Sequence, residues 1–328
     1  MPDILTLAAS NLLSPIILSF ILGLAAALAR SDLSVPEAAA KAISLYLLFA
    51  IGFKGGASVA AHGVDGKLIA SVGAGLVLSF GLPFIAFALL RLMTSFSRID
   101  AAAVAAHYGS ISIVTFVAAT SVLESRLIPA EGYMVAVAAA MEAPAILSAL
   151  WLVARGGTTT RESGLWREIL LNGSIVLLIG AFAIGMITGE KGLADISSFI
   201  VAPFKGVLCL FLLDMGLVAG RGLREQRRGQ NGGLGLGAIA FAILMPMVGS
   251  MAGLALGLLV GLSTGGVAMM MVLAASASYI AVPAAMRVAL PQANPSIYLT
   301  LSLGVTFPFN LTLGIPLYIV IAAAVTGA

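Results

Sequence analysis

The sequence predicts an all-α polytopic membrane protein with ten transmembrane helices in two inverted repeats of five helices, one helix of each repeat being broken. Three observations predict this fold: the composition, the length of the apolar runs, and a recurrence of polar residues along the chain. Of 328 residues, 60% are hydrophobic and 9% are charged, against about 25% charged residues in soluble domains. The apolar runs are long and nearly unbroken, unlike the short alternating segments of a strand-built barrel.

The composition also excludes several classes of function. So few charged side chains cannot cover a water-soluble globule, which excludes a soluble enzyme, a nucleic-acid-binding protein and a disordered chain. The single cysteine, Cys209, cannot form an internal disulfide, so a secreted disulfide scaffold is excluded as well. The net charge of +3 is then best interpreted as a signal of membrane topology.

The predicted spans follow from the length of the apolar stretches. A helix needs about 20 mostly apolar residues to cross the hydrocarbon core of a bilayer. Ten stretches meet this requirement: 12–29, 37–54, 68–93, 99–122, 132–155, 168–188, 196–220, 233–262, 264–290 and 295–326. The loops between them are short and leave no room for a soluble domain.

The lysine and arginine residues of the loops predict the orientation. One side carries Arg30, Arg91, Arg98, Arg155, Arg161, Arg167, Arg221, Arg224, Arg227, Arg228 and Arg287, and the other side carries Lys54, Lys67, Arg126 and Lys191. Cytoplasmic loops are enriched in these residues. We therefore expect a protein of the cell (inner) membrane with the first side in the cytoplasm and both termini on the periplasmic or outer side.

Four residues of the first half recur in order in the second half, at offsets of 163 to 168 residues. The pairs are Gly52 with Gly216, Pro83 with Pro246, Ser110 with Ser278, and Glu142 with Asn310. An odd number of spans inserts the second copy upside down, an arrangement typical of secondary transporters. The prediction is a first repeat at 1–155, a short cytoplasmic linker at 156–167 and a second repeat at 168–328.

The fourth and ninth spans carry polar clusters at the depth of the bilayer centre. The first cluster is Gly109, Ser110, Ser112 and Thr115, and the second is Ser276, Ser278 and Tyr279, followed by Pro283. Proline removes a helix donor and disfavours helical geometry in the residue before it, so we expect the chain to be unwound over 276–282. Unpaired backbone groups at that depth must line a cavity or contact a ligand.

Such interruptions suit two kinds of small ion. The N-terminus of the following half-helix attracts an anion, while unwound carbonyls and hydroxyls suit a hard cation such as Na⁺. The alternative interpretation is that the hydroxyls bond back to their own helices and only allow close packing.

Other polar side chains within the spans are open to two interpretations each. Glu142 and its repeat mate Asn310 are expected to contact the two interruptions, Glu142 as a cation ligand, as a proton carrier or as a structural protonated acid. Asp214 either has a functional role or pairs with Lys41 or Arg221. His107 either titrates or is a core residue, and no partners at metal-ligand spacing accompany it.

Several segments resemble the sodium-dependent bicarbonate transporter family of cyanobacteria and other bacteria. The resemblance covers 14–155 and 168–328 and is carried by the breaks, IGFKGG, AMEAPAI and LPQANPSIYL (290–299), its most specific part being 271–318. It implies two inverted five-helix halves, a homotrimer, and inward bicarbonate transport coupled to Na⁺ by a mobile core domain. Transferred by position, it matches Gly109, Ser110, Ser112 and Thr115 to the first break of the family's site, Ser276, Ser278 and Tyr279 to the second, and Glu142 to a family acid. We therefore expect an anion site of Gly109, Ser110, Ser112, Ser276, Ser278 and Tyr279, and a cation site of Thr115, Glu142, Ile280 and Asn310.

One departure from the family pattern concerns the coupling ion. The cyanobacterial pattern has an acidic residue where this sequence has Tyr279. The coupling ion is then either Na⁺, bound in part by Glu142, or H⁺, carried by Glu142. The alternative function is therefore a proton-coupled transporter of a small organic anion.

The short linker leaves docking of a PII-like regulatory protein open. A passive channel and an intramembrane hydrolase using His107 are remote alternatives, the latter because no orienting carboxylate or nucleophile motif accompanies the histidine. We expect no enzyme activity, no catalytic residues and no cofactor.

Overall fold

The computed structural model describes residues 13–63, 65–142, 144–154, 173–228, 234–279, 282–283, 286 and 290–327. All regular structure in these residues is helical. The helices are α1 (Pro15–Leu28), α2 (Glu37–His62), α3 (Gly66–Met93), α4 (Arg98–Gly109), α5 (Ile113–Ser125), α6 (Met134–Ala140), α7 (Pro144–Ala154), α8 (Gly173–Asp195), α9 (Ser197–Ile200), α10 (Phe204–Arg228), α11 (Leu236–Val260), α12 (Thr264–Ala275) and α13 (Pro295–Thr326).

Within the described part of the chain, eight segments are long and apolar enough to cross a membrane, which makes this a multi-pass membrane protein. Two further apolar helices, α1 and α12, are shorter and lie at the first and ninth predicted spans. The linker at 156–167, which separates the two predicted repeats, falls outside the described residues, as do Arg287 and much of the chain after the second polar cluster.

Three predicted spans differ from the structure. The span predicted at 132–155 is two helices, α6 and α7, separated at Met141 and Glu142, because Pro144 has no N–H with which to continue α6. The span predicted at 196–220 begins with the short helix α9 and continues as α10. The span predicted at 37–54 extends to His62, where Gly63 with φ 82° ends the helix.

The centre of the bundle is formed by α4, α5 and α12. Every residue from Ala101 to Gly109 is buried, as is every residue of α12 from Gly265 to Ala275. Alanine and glycine are frequent in α4 and α12, and such small side chains allow other helices to approach closely. Helices α4 and α12, which precede the two polar clusters, are therefore enclosed by the surrounding helices.

Two helix pairs pack closely beside this centre. Helix α1 packs on α10, and a Cβ at Gly23 or Gly216 would overlap backbone atoms of the other helix. Helix α2 packs on α8 through Gly52 and Gly56 in the same way. Small residues at these positions allow the backbones to approach, which is the usual basis of helix association in membranes.

The first turns of α4 and α12 are anchored by distant loops. Ser97 caps α4, whose Asp100 accepts from the backbone N–H of Asn294 at 2.8 Å. Ser263 caps α12, and Glu131 accepts from its backbone N–H at 2.7 Å and from its hydroxyl at 2.9 Å. Carboxylates are stabilising at helix N-termini, so each central helix begins at a fixed point.

Candidate functional site

The first interruption lies between α4 and α5. Helix α4 ends at Gly109, Ser110 is extended with φ −94° and ψ 170°, and α5 begins at Ile113. Ser112 is the N-cap: its Oγ accepts from the backbone N–H of Thr115 at 3.2 Å and from the Thr115 hydroxyl at 2.9 Å. Serine at this position stabilises the start of a helix, so the sequence itself specifies a new helix after the break.

Gly109 allows α4 to lie directly against α3. A Cβ at this position would overlap the ring of Pro83 and the carbonyl oxygen of Ser79. The residue is therefore a packing position that places the interruption, and it offers no side-chain donor to a ligand.

The second interruption follows α12. The helix ends at Ala275, and residues 276 to 279 are not helical. Ser278 Oγ accepts from the backbone N–H of Val282 at 3.4 Å. The expected unwinding over 276–282 is too long, because Val282 and Pro283 are helical again; proline is favoured in the first turn of a helix. Ile280, expected in the cation site, is outside the described residues.

Direct hydrogen bonds join the two interruptions. The backbone N–H of Ser112 donates to Ser276 Oγ at 3.0 Å, and the backbone N–H of Ser278 donates to the carbonyl oxygen of His107 at 2.8 Å. Ser110, Ser112, Ser276 and Ser278 are all buried. Two clusters far apart in sequence thus form one continuous polar centre.

Glu142 contacts the first interruption. It lies in the turn between α6 and α7, is 7% exposed, and accepts a hydrogen bond from Ser110 Oγ at 3.0 Å. The neighbouring carbonyl of Met141, at the end of α6, accepts from Ser79 Oγ at 2.6 Å. Within the described residues no lysine, arginine or histidine forms an ion pair with Glu142.

Asn310 contacts the second interruption. Its Nδ2 donates to the carbonyl oxygen of Ala275 at 2.8 Å, and its Oδ1 accepts from the Tyr318 hydroxyl at 2.9 Å. It begins the second of two π-helical segments of α13, Thr300–Thr306 and Asn310–Gly314. Such widened turns often occur at functional sites. The pair matched by sequence, Glu142 and Asn310, therefore reaches one interruption each.

Two buried groups beside the interruptions have no hydrogen-bond partner among the described residues. The hydroxyl of Tyr279 is one: the Ser112 side chain lies near it, but not in good hydrogen-bond geometry, and the Tyr279 ring packs edge-on against Phe307 at 5.3 Å. His107 Nε2 is the other, whereas its Nδ1 lies 2.6 Å from the carbonyl oxygen of Ala103, and its ring stacks on Tyr298 at 4.4 Å. Leaving a buried polar group unsatisfied costs free energy, so each is available to a ligand.

The remaining sequence hypotheses have different outcomes. Asp214 is buried at 7% exposure and, among the described residues, has no ion pair within 4 Å, but Arg221 is near enough to interact with its carboxylate electrostatically. Arg221 also donates to the carbonyl oxygen of Leu33 at 3.1 Å. Among the described residues, the His107 imidazole has no hydrogen bond to a serine, so the pairing that a hydrolase requires is not formed there.

Some residues that hold the site were not predicted from the sequence. The Tyr108 hydroxyl donates to Thr306 Oγ1 at 2.6 Å, and Thr306 donates to the carbonyl oxygen of Ala242 at 2.6 Å. This chain ties α4 to α13 and α11. The available signal was the position of polar residues inside apolar runs, but spacing alone does not identify their partners.

The donor atoms of the site are oxygens and backbone groups. Within the described residues, no group of three or more His, Cys, Asp or Glu side chains is placed to hold a metal ion. Hydroxyl, carbonyl and carboxylate oxygens suit a hard cation, and the first N–H groups of α5, a helix start, suit an anion. The arrangement thus has the chemistry to hold both kinds of ion.

A helical membrane protein with interrupted helices meeting in a buried polar centre has the architecture of a membrane transporter. The sequence model of the Na⁺-dependent bicarbonate transporter superfamily matches residues 15–323, and the chain belongs to this family. The family consists of transporters and not of enzymes, and Na⁺ as the coupling ion agrees with its Na⁺ dependence. Among curated proteins, none is similar enough to this chain to count as a match.

Proposed function

We propose that the protein is a secondary active transporter that imports bicarbonate, or a similarly small anion, together with Na⁺. The observation that carries the proposal is the joining of the two interruptions by the hydrogen bonds from Ser112 to Ser276 and from Ser278 to His107. A polar centre built from two helix breaks is expensive in a membrane unless it serves a ligand.

The anion is held by backbone N–H groups and hydroxyls. The start of α5 provides N–H groups without intrahelical acceptors, and the positive end of the helix dipole lies beside Ser112. The proposed ligands are Gly109, through its backbone, with the side chains or backbone of Ser110, Ser112, Ser276, Ser278 and Tyr279. The unpaired hydroxyl of Tyr279 supports its role as a donor to the anion.

The cation is held by oxygens of the same centre. The proposed ligands are Thr115, Glu142, Ile280 and Asn310. Glu142 supports this assignment because its carboxylate is buried and has Ser110 as its hydrogen-bond donor. Since a buried carboxylate without a counter-ion is costly, a bound Na⁺ would supply the missing charge.

Movement of a core domain gives alternating access to this centre. The core carries α4, α5 and α12, and the pairs α1 with α10 and α2 with α8 form the scaffold; the glycine contacts within those pairs support this division.

The full proposal includes ten spans in two inverted repeats, at 1–155 and 168–328, and a homotrimer in the inner membrane. Both termini lie outside, and a PII-like regulator, if one binds, would dock on the cytoplasmic face.

Uptake of labelled bicarbonate into proteoliposomes tests the proposal. We expect uptake to accelerate when a Na⁺ gradient points inward and to fall to the background of empty liposomes without Na⁺. Uptake that is equal with and without the gradient would contradict Na⁺ coupling. Chemical crosslinking in the membrane tests the trimer separately, with a three-chain product as the expected result.

One observation favours a second candidate, a proton-coupled transporter of a small organic anion. Glu142 has no basic partner within the described residues, and a neutral, protonated carboxyl avoids the cost of burying a charge. Uptake of a small carboxylate driven by a pH gradient in Na⁺-free buffer would favour this candidate. No response to the pH gradient would eliminate it.

A further inference from the structure

A cavity of about 530 Å³ lies between α2, α5 and the beginning of α10. Lys54 of α2 and Glu124 of α5 line it together with Phe204 of α10. The loop preceding α6 closes another side through Glu131. By the distribution of lysine and arginine this is the outer side of the membrane.

The inner end of the cavity approaches the two interruptions. Phe116 lines it one helical turn after Ser112, a distance of about 6 Å along the axis at ~1.5 Å per residue. Met269 of α12 lines it as well and is buried. An ion that enters the cavity therefore has one turn of α5 left to pass before the polar centre.

Among the described residues, three charged side chains line the cavity: Lys54, Glu124 and Glu131. The carboxylate of Glu131 lies at the N-terminus of α12, where it accepts hydrogen bonds from the backbone N–H and the hydroxyl of Ser263. The dipole of α12 offsets its charge. The charge that a passing ion meets is therefore set mainly by Lys54 and Glu124.

Lys54 and Glu124 form a weak, exchangeable pair. Lys54 Nζ lies 3.5 Å from Glu124 Oε1, and the two side chains are 32% and 50% exposed. Ion pairs as exposed as this contribute little stability. Lys54 Nζ also lies 5.4 Å from the centre of the Phe204 ring. An ammonium has three donors, so an anion can replace the carboxylate without breaking other hydrogen bonds.

We propose that Lys54 is the first binding group for the transported anion in this cavity, and that Glu124 competes with the anion for it. This inference rests on the proposed function, since it concerns the route to the same centre. Lys54 is a specificity-determining residue because it attracts small anions into the cavity, on the outer side of Phe116. Glu124 shortens the time for which an anion stays bound to Lys54.

The first test measures how fast anions reach the cavity and needs no transported substrate. The single cysteine, Cys209, is replaced by serine, and Thr120, which lines the cavity, is replaced by cysteine. The purified full-length protein in detergent is then labelled with an anionic sulfonatoethyl and a cationic trimethylammonium-ethyl methanethiosulfonate. The ratio of the two labelling rates reports the charge that an ion meets.

We expect Lys54→Met to lower the ratio of anionic to cationic labelling by about sixteenfold, because one unit charge at ~5 Å in water changes each of the two rates by about fourfold and in opposite directions. We expect Glu124→Gln to raise it by a similar factor. Lys191→Met is the matched control, because Lys191 is exposed on the same predicted side and does not line the cavity; its ratio should stay unchanged. Equal ratios in all variants would overturn the proposal.

A competing explanation is that the pair only holds the cavity shut. In that case Lys54→Met and Glu124→Gln would both accelerate both reagents, and this result would also overturn the proposal. In the uptake assay we expect Lys54→Met to raise the KM for bicarbonate about fourfold at unchanged kcat, by the same estimate. Failure of the unsubstituted protein to take up bicarbonate would contradict the proposed function, while the labelling ratios would still decide the role of Lys54.

Discussion

The backbone N–H of Ser112 donates to the hydroxyl of Ser276 at 3.0 Å, across 164 residues of sequence. Ser112 begins the second half of one interrupted helix, and Ser276 ends the first half of the other. Because Ser276 in turn donates to the carbonyl oxygen of Leu273 at 2.9 Å, the start of α5 is tied to the end of α12. Any displacement of one interruption therefore displaces the other.

Ser276→Ala should disable this connection. The substitution leaves the buried N–H of Ser112 without an acceptor, which costs about 1–3 kcal/mol. We expect bicarbonate uptake to fall by roughly tenfold, the factor that ~1.4 kcal/mol represents, with a lower melting temperature. Ser302→Ala is the control, since the buried Ser302 hydroxyl bonds only to carbonyls of its own helix. Equal uptake in the two variants would contradict the connection.

Ser110→Ala and Ser278→Ala test the two halves of the proposed anion site. The first removes a hydroxyl that donates to Glu142, and the second removes a hydroxyl that accepts from the Val282 N–H. We expect uptake to drop severalfold while expression and trimer assembly stay normal, as measured by uptake and by chromatography in detergent. Normal transport in both variants would show that the paired interruptions are not the binding site.

Glu142→Gln should change the dependence on cations more than the affinity for the anion. The amide keeps a hydrogen-bond acceptor for Ser110 but removes the charge that Na⁺ requires. We expect the Na⁺ concentration for half-maximal uptake to rise at least tenfold while the KM for bicarbonate changes by less than about threefold, given that ~1.4 kcal/mol corresponds to tenfold. Unchanged Na⁺ and pH profiles would remove Glu142 from the coupling role.

Gly109→Ala should displace α4 from α3. The added methyl group would overlap Pro83 and the carbonyl oxygen of Ser79, and overpacking of this kind costs about 1–3 kcal/mol. We expect lower thermal stability and strongly reduced uptake. Gly81→Ala provides the comparison on α3, because a Cβ there meets no atom within 4 Å. If both variants behave alike, the close contact at Gly109 does not position the site.

Glu131→Ala should weaken the start of α12. It removes two hydrogen bonds to Ser263 at 2.7 and 2.9 Å, and loss of a capping interaction costs about 1 kcal/mol. We expect a melting temperature lower by a few degrees, measured by fluorescence-detected unfolding. Glu190→Ala, which removes an exposed carboxylate of α8, should leave it unchanged; a similar loss in both variants would argue against the cap.

The position of the interruptions was predictable from the sequence, because glycine and serine clusters inside apolar runs have few structural uses. The interruption at Ser110 to Ser112 coincides with the predicted cluster. The division of α6 from α7 was missed, since proline is often tolerated inside membrane helices, as Pro83 is in α3. The prolines at 83 and 144 differ in their surroundings. At the end of α6, shortly before Pro144, the carbonyl oxygen of Met141 accepts a hydrogen bond from the Ser79 hydroxyl of α3.

The partners of the polar side chains were not predictable in the same way. Internal recurrence matched Glu142 with Asn310, but it did not reveal that Asn310 binds the carbonyl of Ala275 while Glu142 binds a side chain. That the Tyr279 hydroxyl and His107 Nε2 have no hydrogen-bond partner among the described residues likewise depends on packing from several helices. Hydrophobic patterning sets which segments enter the membrane, whereas long-range hydrogen bonds depend on how those segments pack.

The anchoring of α4 and α12 by distant loops also bears on how the chain assembles during synthesis. The carboxylate of Asp100 accepts a hydrogen bond from the backbone N–H of Asn294, which lies 194 residues later in the chain. The hydroxyl of Ser263 donates to Glu131, which lies 132 residues earlier. Helix α4 therefore leaves the ribosome long before its anchor exists, and its first turn is completed only when the loop before α13 arrives. The polar centre therefore cannot be completed while α4 and α5 are being made, because it needs residues of the chain from α12 to the loop before α13.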